Sequence, residues 1–276
     1  MKEQKRRVSI RLDHLVVLVH DLGRATTDYE SLGFRVTSGG EHADGLTRNA
    51  LIPFKDGTYL ELVAFLDRDD PRDNLWGWRS AGASGLIDWC VASDDLQAQI
   101  RTLAKYGLEA GDPFAGGRRL PDGTELKWRT LRFTQEGRAL PFLIKDLTPR
   151  ERRVPGGPAL EHPNGVTGIA GLTIAVADLD QSAALFGALS GEEEVARRSV
   201  QDLHAVEYEL RAGPHAIGLV APTEQRGPIQ GHLDARGPGP FRITLASNKE
   251  GSNAFLNIRC THRALIELLY SGVHKG

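Results

Sequence analysis

The sequence is poor in cysteine. Only Cys90 and Cys260 occur among 276 residues. One disulfide at most is possible, and no C-x-x-C pair is present to hold zinc or exchange electrons. A reducing, cytoplasmic setting is the expectation. Long apolar runs are also missing: none approaches the roughly 18 residues that span a bilayer. The N-terminal "MKEQKRRVSI" is basic but has no apolar segment behind it, so it does not read as a secretory signal. Charge of one sign is not in excess. Thirty-four Lys and Arg stand against 36 Asp and Glu, a formal net charge of −2. That balance gives no reason to expect nucleic acid or an anionic membrane as partner. Nucleotide and hydrolase signatures are absent as well. There is no G-x-x-x-x-G-K-[ST], no dinucleotide fingerprint after a strand and no G-x-S-x-G elbow. No nucleotide cofactor is expected, and a small molecule is the expected partner.

What the sequence does have is repetition. "RLDHLVVLVHDL" runs into "GRATTDYESLGF", an apolar strand followed by a helix with Asp21 as N-cap and Gly33 near its end. "LIDWCVASDDLQAQIRTLAKYGL", from Leu86, repeats the pattern with Asp95 and Gly107. "GLTIAVADLDQSAALFGALSGEE", from Gly171, repeats it with Asp178 and Gly191. The cap-to-glycine spacing is 12, 12 and 13 residues, and the caps lie 74 and 83 residues apart. That period is too long for a solenoid and suits a small α+β module. Three strand-like stretches follow each helix, with "KDG" and "PDG" as turns, so each module reads strand–helix–three strands. A shortened fourth copy starts at "GPFRITLAS" and closes with "RALIELL". The period of "NAFLNIRCTHRALIELLYSG" does not decide between helix and strand. "DLTPRERRVPGGPALEHPNG", residues 146–165, is rich in Pro, Gly and charge and reads as a linker. The expected domains are 1–150, carrying a site, and 151–276, a degenerate copy.

A βαβββ module used in pairs resembles the vicinal oxygen chelate superfamily, and its glyoxalase-like branch in particular. The resemblance rests on the ordered series "LDHLVV…DL…LGF", "GGEHADGLTRNALI", "YLELVAF" and "PDGTELKWR…LPFLI". It covers residues 10–222 well and 223–276 loosely. It implies tandem modules forming open, curved half-barrel sheets. It also implies divalent-metal ligands from the first and fourth strands of a module, pointing into the concavity. On this chain those positions are His14 and Glu61.

The internal repeats bear on that implication. The slot seven residues before each cap holds His14, Asp88 and Gly171. The partner slot holds Glu61, Phe142 and Gly218. The expected metal set is therefore His14, Glu61 and Asp88 in the N-terminal half, while the third module can ligate through neither side chain. One histidine and two carboxylates would suit Zn, Mn, Ni, Fe or Mg. Such an ion would polarise a carbonyl or enolate oxygen, with Glu61 as general base, in a lyase or isomerase reaction. His42, in the glycine-flanked "GGEHADGLTRN", is open as a metal ligand, an acid/base group or an anion contact. His42, Asn49, Trp128 and Phe142 are the expected substrate-binding residues, and Trp76 and Trp78 are candidates either to cap the cavity or to seal the module interface. "GGRRLPDG" can touch an anionic substrate or simply form a hairpin. A metal-free binding protein of the resistance type and a dioxygenase-like member are the alternatives. A homodimer is among the expected assemblies.

Overall fold

A computed structural model describes residues 10–67, 76, 84–120, 122–133, 139–191 and 197–271; Trp78 lies outside them. Among these, no helix is long and apolar enough to cross a membrane. The first part of the chain forms β1 (Ile10–Leu18), α1 (Leu22–Ser31), β2 (Thr37–His42), β3 (Thr47–Pro53), β4 (Tyr59–Phe65), β5 (Gly85–Ser93), α2 (Leu96–Ala104), β6 (Phe114–Arg119), β7 (Glu125–Leu131) and β8 (Phe142–Asp146). A short α3 (Arg150–Arg153) follows. The remainder forms β9 (Val166–Ala175), α4 (Leu179–Ser190), β10 (Arg197–Val200), β11 (Ala205–Ala212), β12 (His215–Pro222), α5 (Pro228–Arg236), β13 (Gly239–Glu250), β14 (Ala254–Phe255) and β15 (Leu265–Ser271).

Local chemistry sets the repeated helices. Asp21, Asp95 and Asp178 each accept the backbone N–H three residues on, satisfying an open donor at the helix start. Gly33, Gly107 and Gly191 then take positive φ, which turns the chain back toward the sheet. The fold is α+β, as the module pattern implies. The undecided C-terminal stretch resolves as β14, a turn and β15, with no module helix between β13 and β14.

The first sheet departs from the open form expected of it. Its eight strands close into a barrel in the order β1-β4-β3-β2-β6-β7-β8-β5. The last seam is short, pairing only Glu41 with Arg119 and His42 with Arg118. Gly40 makes it possible. Its φ is +131°, and a Cβ there would stand 2.2 Å from the Arg119 carbonyl oxygen. The second sheet stays open, with seven strands in the order β10-β11-β12-β9-β13-β15-β14. Its concavity is filled. Ile229 of α5 packs on Ala175, Leu203, Ala205 and Val220. Glu207, paired with Arg198 at 2.6 Å, lies where any side chain at Gly218 would have to go.

The two sheets share one apolar core. Trp89 stacks on Phe186 with centroids 5.3 Å apart. The Tyr29 hydroxyl donates to the Thr261 carbonyl at 3.2 Å. Asp56, in the turn before β4, accepts the Ile169 N–H at 2.8 Å and lies 3.2 Å from His215 Nε2.

Residues 146–165 do not behave as a loose linker. Buried His162 accepts the Arg35 N–H at Nδ1 (2.9 Å), so its Nε2 must donate to the Pro53 carbonyl (2.8 Å). The first of these bonds needs the neutral ring, because a protonated Nδ1 cannot accept. Burial lowers the His162 pKa from its ordinary value, and nearby Arg35 adds to this. The sign follows: stability from a neutral His162 is complete above the unfolded value near 6.5 and is lost as pH falls through the lower folded value. Urea midpoints between pH 7.5 and 5 are expected to fall for the native chain. The fall should be shallower for His162→Gln, and equal slopes would refute this account.

Candidate functional site

The barrel interior holds a cavity of about 470 Å³. Its polar end is built on β1 and β4, which run parallel with His14 opposite Tyr59 and Val16 opposite Glu61. The β1–β5 pairing shifts register between Leu12 and His14, leaving Asp13 as an extra residue. Such a bulge re-aims side chains. Here it lets neighbouring buried residues meet, with Asp13 Oδ1 accepting from His14 Nδ1 at 2.7 Å. The His14 ring is wedged between Tyr59, stacked at 4.5 Å, and the edge of Phe142 at 5.4 Å.

His14 Nδ1 being taken by Asp13, Nε2 faces Glu61 Oε2 at 3.2 Å. His42, at the end of β2, repeats the arrangement. Its Nδ1 is hydrogen-bonded to the Thr47 hydroxyl at 2.7 Å, and its Nε2 lies 3.4 Å from Glu61 Oε1. Two imidazoles, each anchored at Nδ1, thus present Nε2 to one buried carboxylate. Asn49 Nδ2 donates to Glu61 Oε1 at 2.5 Å. Only glycine fits at position 39, because a Cβ there would lie 1.9 Å from Asn49 Oδ1.

Burial alone would raise the Glu61 carboxyl, but hydrogen bonds and charge from His14 and His42 hold it well below the usual carboxylate range. Burial alone would lower His14. Tyr59, Cys90 and the Asp13 hydrogen bond outweigh it and lift the ring well above its ordinary value. Asp13 is held well below its ordinary value, against burial, by Arg153, the His14 bond and Arg150.

That last group was invisible in the sequence. Arg153, on α3, is 2% exposed and reaches back into the barrel. It donates to Asp13 Oδ1 at 3.0 Å and Oδ2 at 3.1 Å, to Asp146 at 2.7 and 2.9 Å, and to the Tyr59 hydroxyl at 2.7 Å. Arg150 adds a second ion pair to Asp13. The only hint was the charge run "PRERRV", which looks like solvated linker.

Six of the expected residues, His14, His42, Asn49, Glu61, Trp128 and Phe142, line the cavity, together with Trp76. Trp128 sets its ring edgewise to His42 at 6.4 Å. Asp88 is not among the lining residues. Its carboxylate is engaged by Arg132 Nη2 at 2.7 Å, Trp76 Nε1 at 2.9 Å and the Trp89 N–H at 2.9 Å. Opposite His14 on β5 stands Cys90 instead.

Asp13, His14 and Cys90 offer ligand atoms all within 4.8 Å of one another. Their chemistry does not suit a cation. Asp13 is shared between two arginines and His14, and burial pushes the Cys90 thiol up to about 11, keeping it protonated. His14 and His42 instead each bring Nε2 near a different oxygen of one carboxylate, Glu61, at 3.2 and 3.4 Å.

The glyoxalase-like domain model matches residues 12–190. With that fold and this match over more than half its length, the chain belongs to the glyoxalase-like domain family. No curated protein matches it in sequence. Among solved structures it is similar to a hypothetical protein from Staphylococcus aureus, with a TM-score of 0.72 and 13% identity over 95% of this chain and all of that one. It is also similar to a variant of 4-hydroxymandelate synthase from Streptomyces coelicolor. There the TM-score is 0.62 and the identity 16%, over 88% of this chain and 72% of that one. Identities this low speak to a shared fold alone.

Proposed function

We propose that the barrel cavity is the active site of a divalent-metal-dependent lyase or isomerase acting on a small oxygenated molecule. His14, His42 and Glu61 hold the ion. The supporting observation is the convergence of two imidazoles on one carboxylate: His14 and His42, each held at Nδ1, turn Nε2 toward Glu61 at 3.2 and 3.4 Å. Without an ion, a proton on His14 fills the gap to Glu61, in keeping with its raised pKa, and an ion would take the place of that proton. Asp13 and Thr47 orient the two rings, as outer partners of metal-bound histidines do.

A bound ion would act as a Lewis acid on a carbonyl or enolate oxygen. The protein's own groups do the rest. Trp76, Trp128 and Phe142 give the ligand apolar walls and exclude water. Glu61 stays ionised through the neutral range, so it can take a proton at Oε1, where Asn49 now donates. A dioxygenase-like reaction is the second reading. It is favoured because His42, rather than Asp88, stands beside Glu61, making two histidines and one carboxylate.

Elemental analysis of protein purified without chelator tests the metal. About one divalent ion per chain is expected, and its loss in His14→Ala. A chain that takes up no ion on loading with Zn, Mn, Ni, Fe or Mg would leave the metal-free binding reading in its place.

A further inference from the structure

The carboxylates at the polar end of the cavity are engaged within the site. Glu61 faces His14 and His42, Asp13 pairs with Arg153 and Arg150, and Asp146 pairs with Arg153. Asp44, which also lines the cavity, is exposed and accepts the Leu46 N–H. Arg118 takes part in none of these ion pairs. It lies on β6, lines the cavity and is 4% exposed. Among the described residues it makes no ion pair. Nη1 donates to the neutral Asn49 Oδ1 at 3.2 Å and Nη2 to the Arg153 carbonyl at 2.8 Å. Nε is buried with no partner. A guanidinium taken out of water with no ion pair of its own is costly to keep, and proteins rarely hold one without a use for it. Its placement is also constrained. The seam strand β2 crosses beside it, and Gly40 has no Cβ to press on its side chain, where one would lie 3.4 Å from Arg118 Cγ.

The same cavity is rich in aromatic rings. Trp76, Trp128, Phe114 and Phe142 line it. Gly116 lets the Trp128 indole lie against β6, since a Cβ there would stand 2.1 Å from Trp128 Nε1. One cation without an ion pair, in a cavity lined by aromatic rings, fits a single anionic group on an apolar body.

We infer that the cavity takes a small monocarboxylate with an apolar or aromatic body, its carboxylate held by Arg118. This deepens the proposed function, since it assumes that the same cavity is the working site, but it does not depend on a metal. A single charge answers one arginine. A phosphate, with nearly two, would overfill it.

Binding of benzoate and phenylacetate, and of benzamide and phenylacetamide as uncharged counterparts, can be followed by quenching of Trp fluorescence in chelator-treated protein. At least one acid is expected to bind ten-fold or more tighter than its amide. In Arg118→Met that preference should vanish, and Arg118→Lys should restore part of it. Arg118→Met also removes the bonds to Asn49 and the Arg153 carbonyl, so melting curves of Arg118→Met and Arg118→Lys are taken on the same samples to establish that both variants are folded. No binding of either acid, equal binding of acid and amide, or tighter binding of inorganic phosphate would each overturn the inference. So would unaltered preference in Arg118→Met. Metal content measured on the same samples separates the two readings. A chain that holds metal but ignores Arg118 refutes this inference alone. One that prefers the acids through Arg118 but never takes up metal refutes the metal-dependent reaction alone.

Discussion

Replacing Arg153 with alanine is expected to lower stability by about 3 kcal/mol, the scale of breaking a buried ion pair from one side. The guanidinium joins Asp13, Asp146 and Tyr59 from a position that is almost wholly buried. Its removal leaves Asp13 with Arg150, which is far more exposed, and with His14. Arg150→Ala should cost less, about 1 kcal/mol, because water already screens that pair. The loss should also depend on pH. Asp13 has a depressed folded pKa, so its contribution is present above the unfolded value near 3.9 and is lost only as pH falls through the folded one. Without Arg153 that depression shrinks, and acid should unfold the variant at higher pH than the native chain. Urea midpoints from pH 7 to pH 3 give both results. An unchanged midpoint at pH 7 would remove Arg153 from the account of the barrel.

The second large effect is expected at Glu61. Glu61→Gln keeps the size of the side chain but not the charge on which two imidazoles converge. Divalent-metal affinity should fall by more than about 100-fold, beyond the range ordinarily seen for outer partners. Thr47→Val provides the graded comparison. It leaves every proposed ligand in place and removes only the Nδ1 anchor of His42. A fall of about 10- to 100-fold is expected there, with little change in melting temperature. Calorimetric titration with Zn²⁺ and Mn²⁺ measures both. If Thr47→Val and Glu61→Gln weaken binding equally, Glu61 is not a ligand. If neither changes it, the ion sits elsewhere.

Much of the fold was legible because its signals are local. Asp21, Asp95 and Asp178 cap helices through bonds to residues three positions on, and such bonds recur wherever the module does. The closure of the first sheet was not legible. It depends on Gly40 meeting Arg119 from another module, and nothing in either stretch reports the other. The site divides the same way. The family resemblance pointed to His14 and Glu61, and the structure sets them 3.2 Å apart. The repeat comparison added Asp88, since counting back from a cap gives a place along a strand. It does not give the end of the barrel to which the carboxylate turns. Asp88 turns to Trp76 and Arg132, and the register shifts flanking Asp13 and Val16 put Cys90 opposite His14. His42 was one of several open roles for a loop histidine until β2 carried it to Glu61. Arg153 had no signal, because a buried arginine and a solvated one read alike in a basic run.

The reach of Arg153 into the barrel bears on how this chain can be taken apart. The segment after β8 looks like the natural place to cut, yet it completes the first sheet from outside. A graft of the barrel onto another partner sheet, or expression of the barrel alone, must carry residues 147–162 with it. A cut directly after Asp146 would strip Asp13 of both arginines and leave Asp146 without its fork. A cut at the start of β9 would leave these bonds in place, with that of His162 to the Pro53 carbonyl.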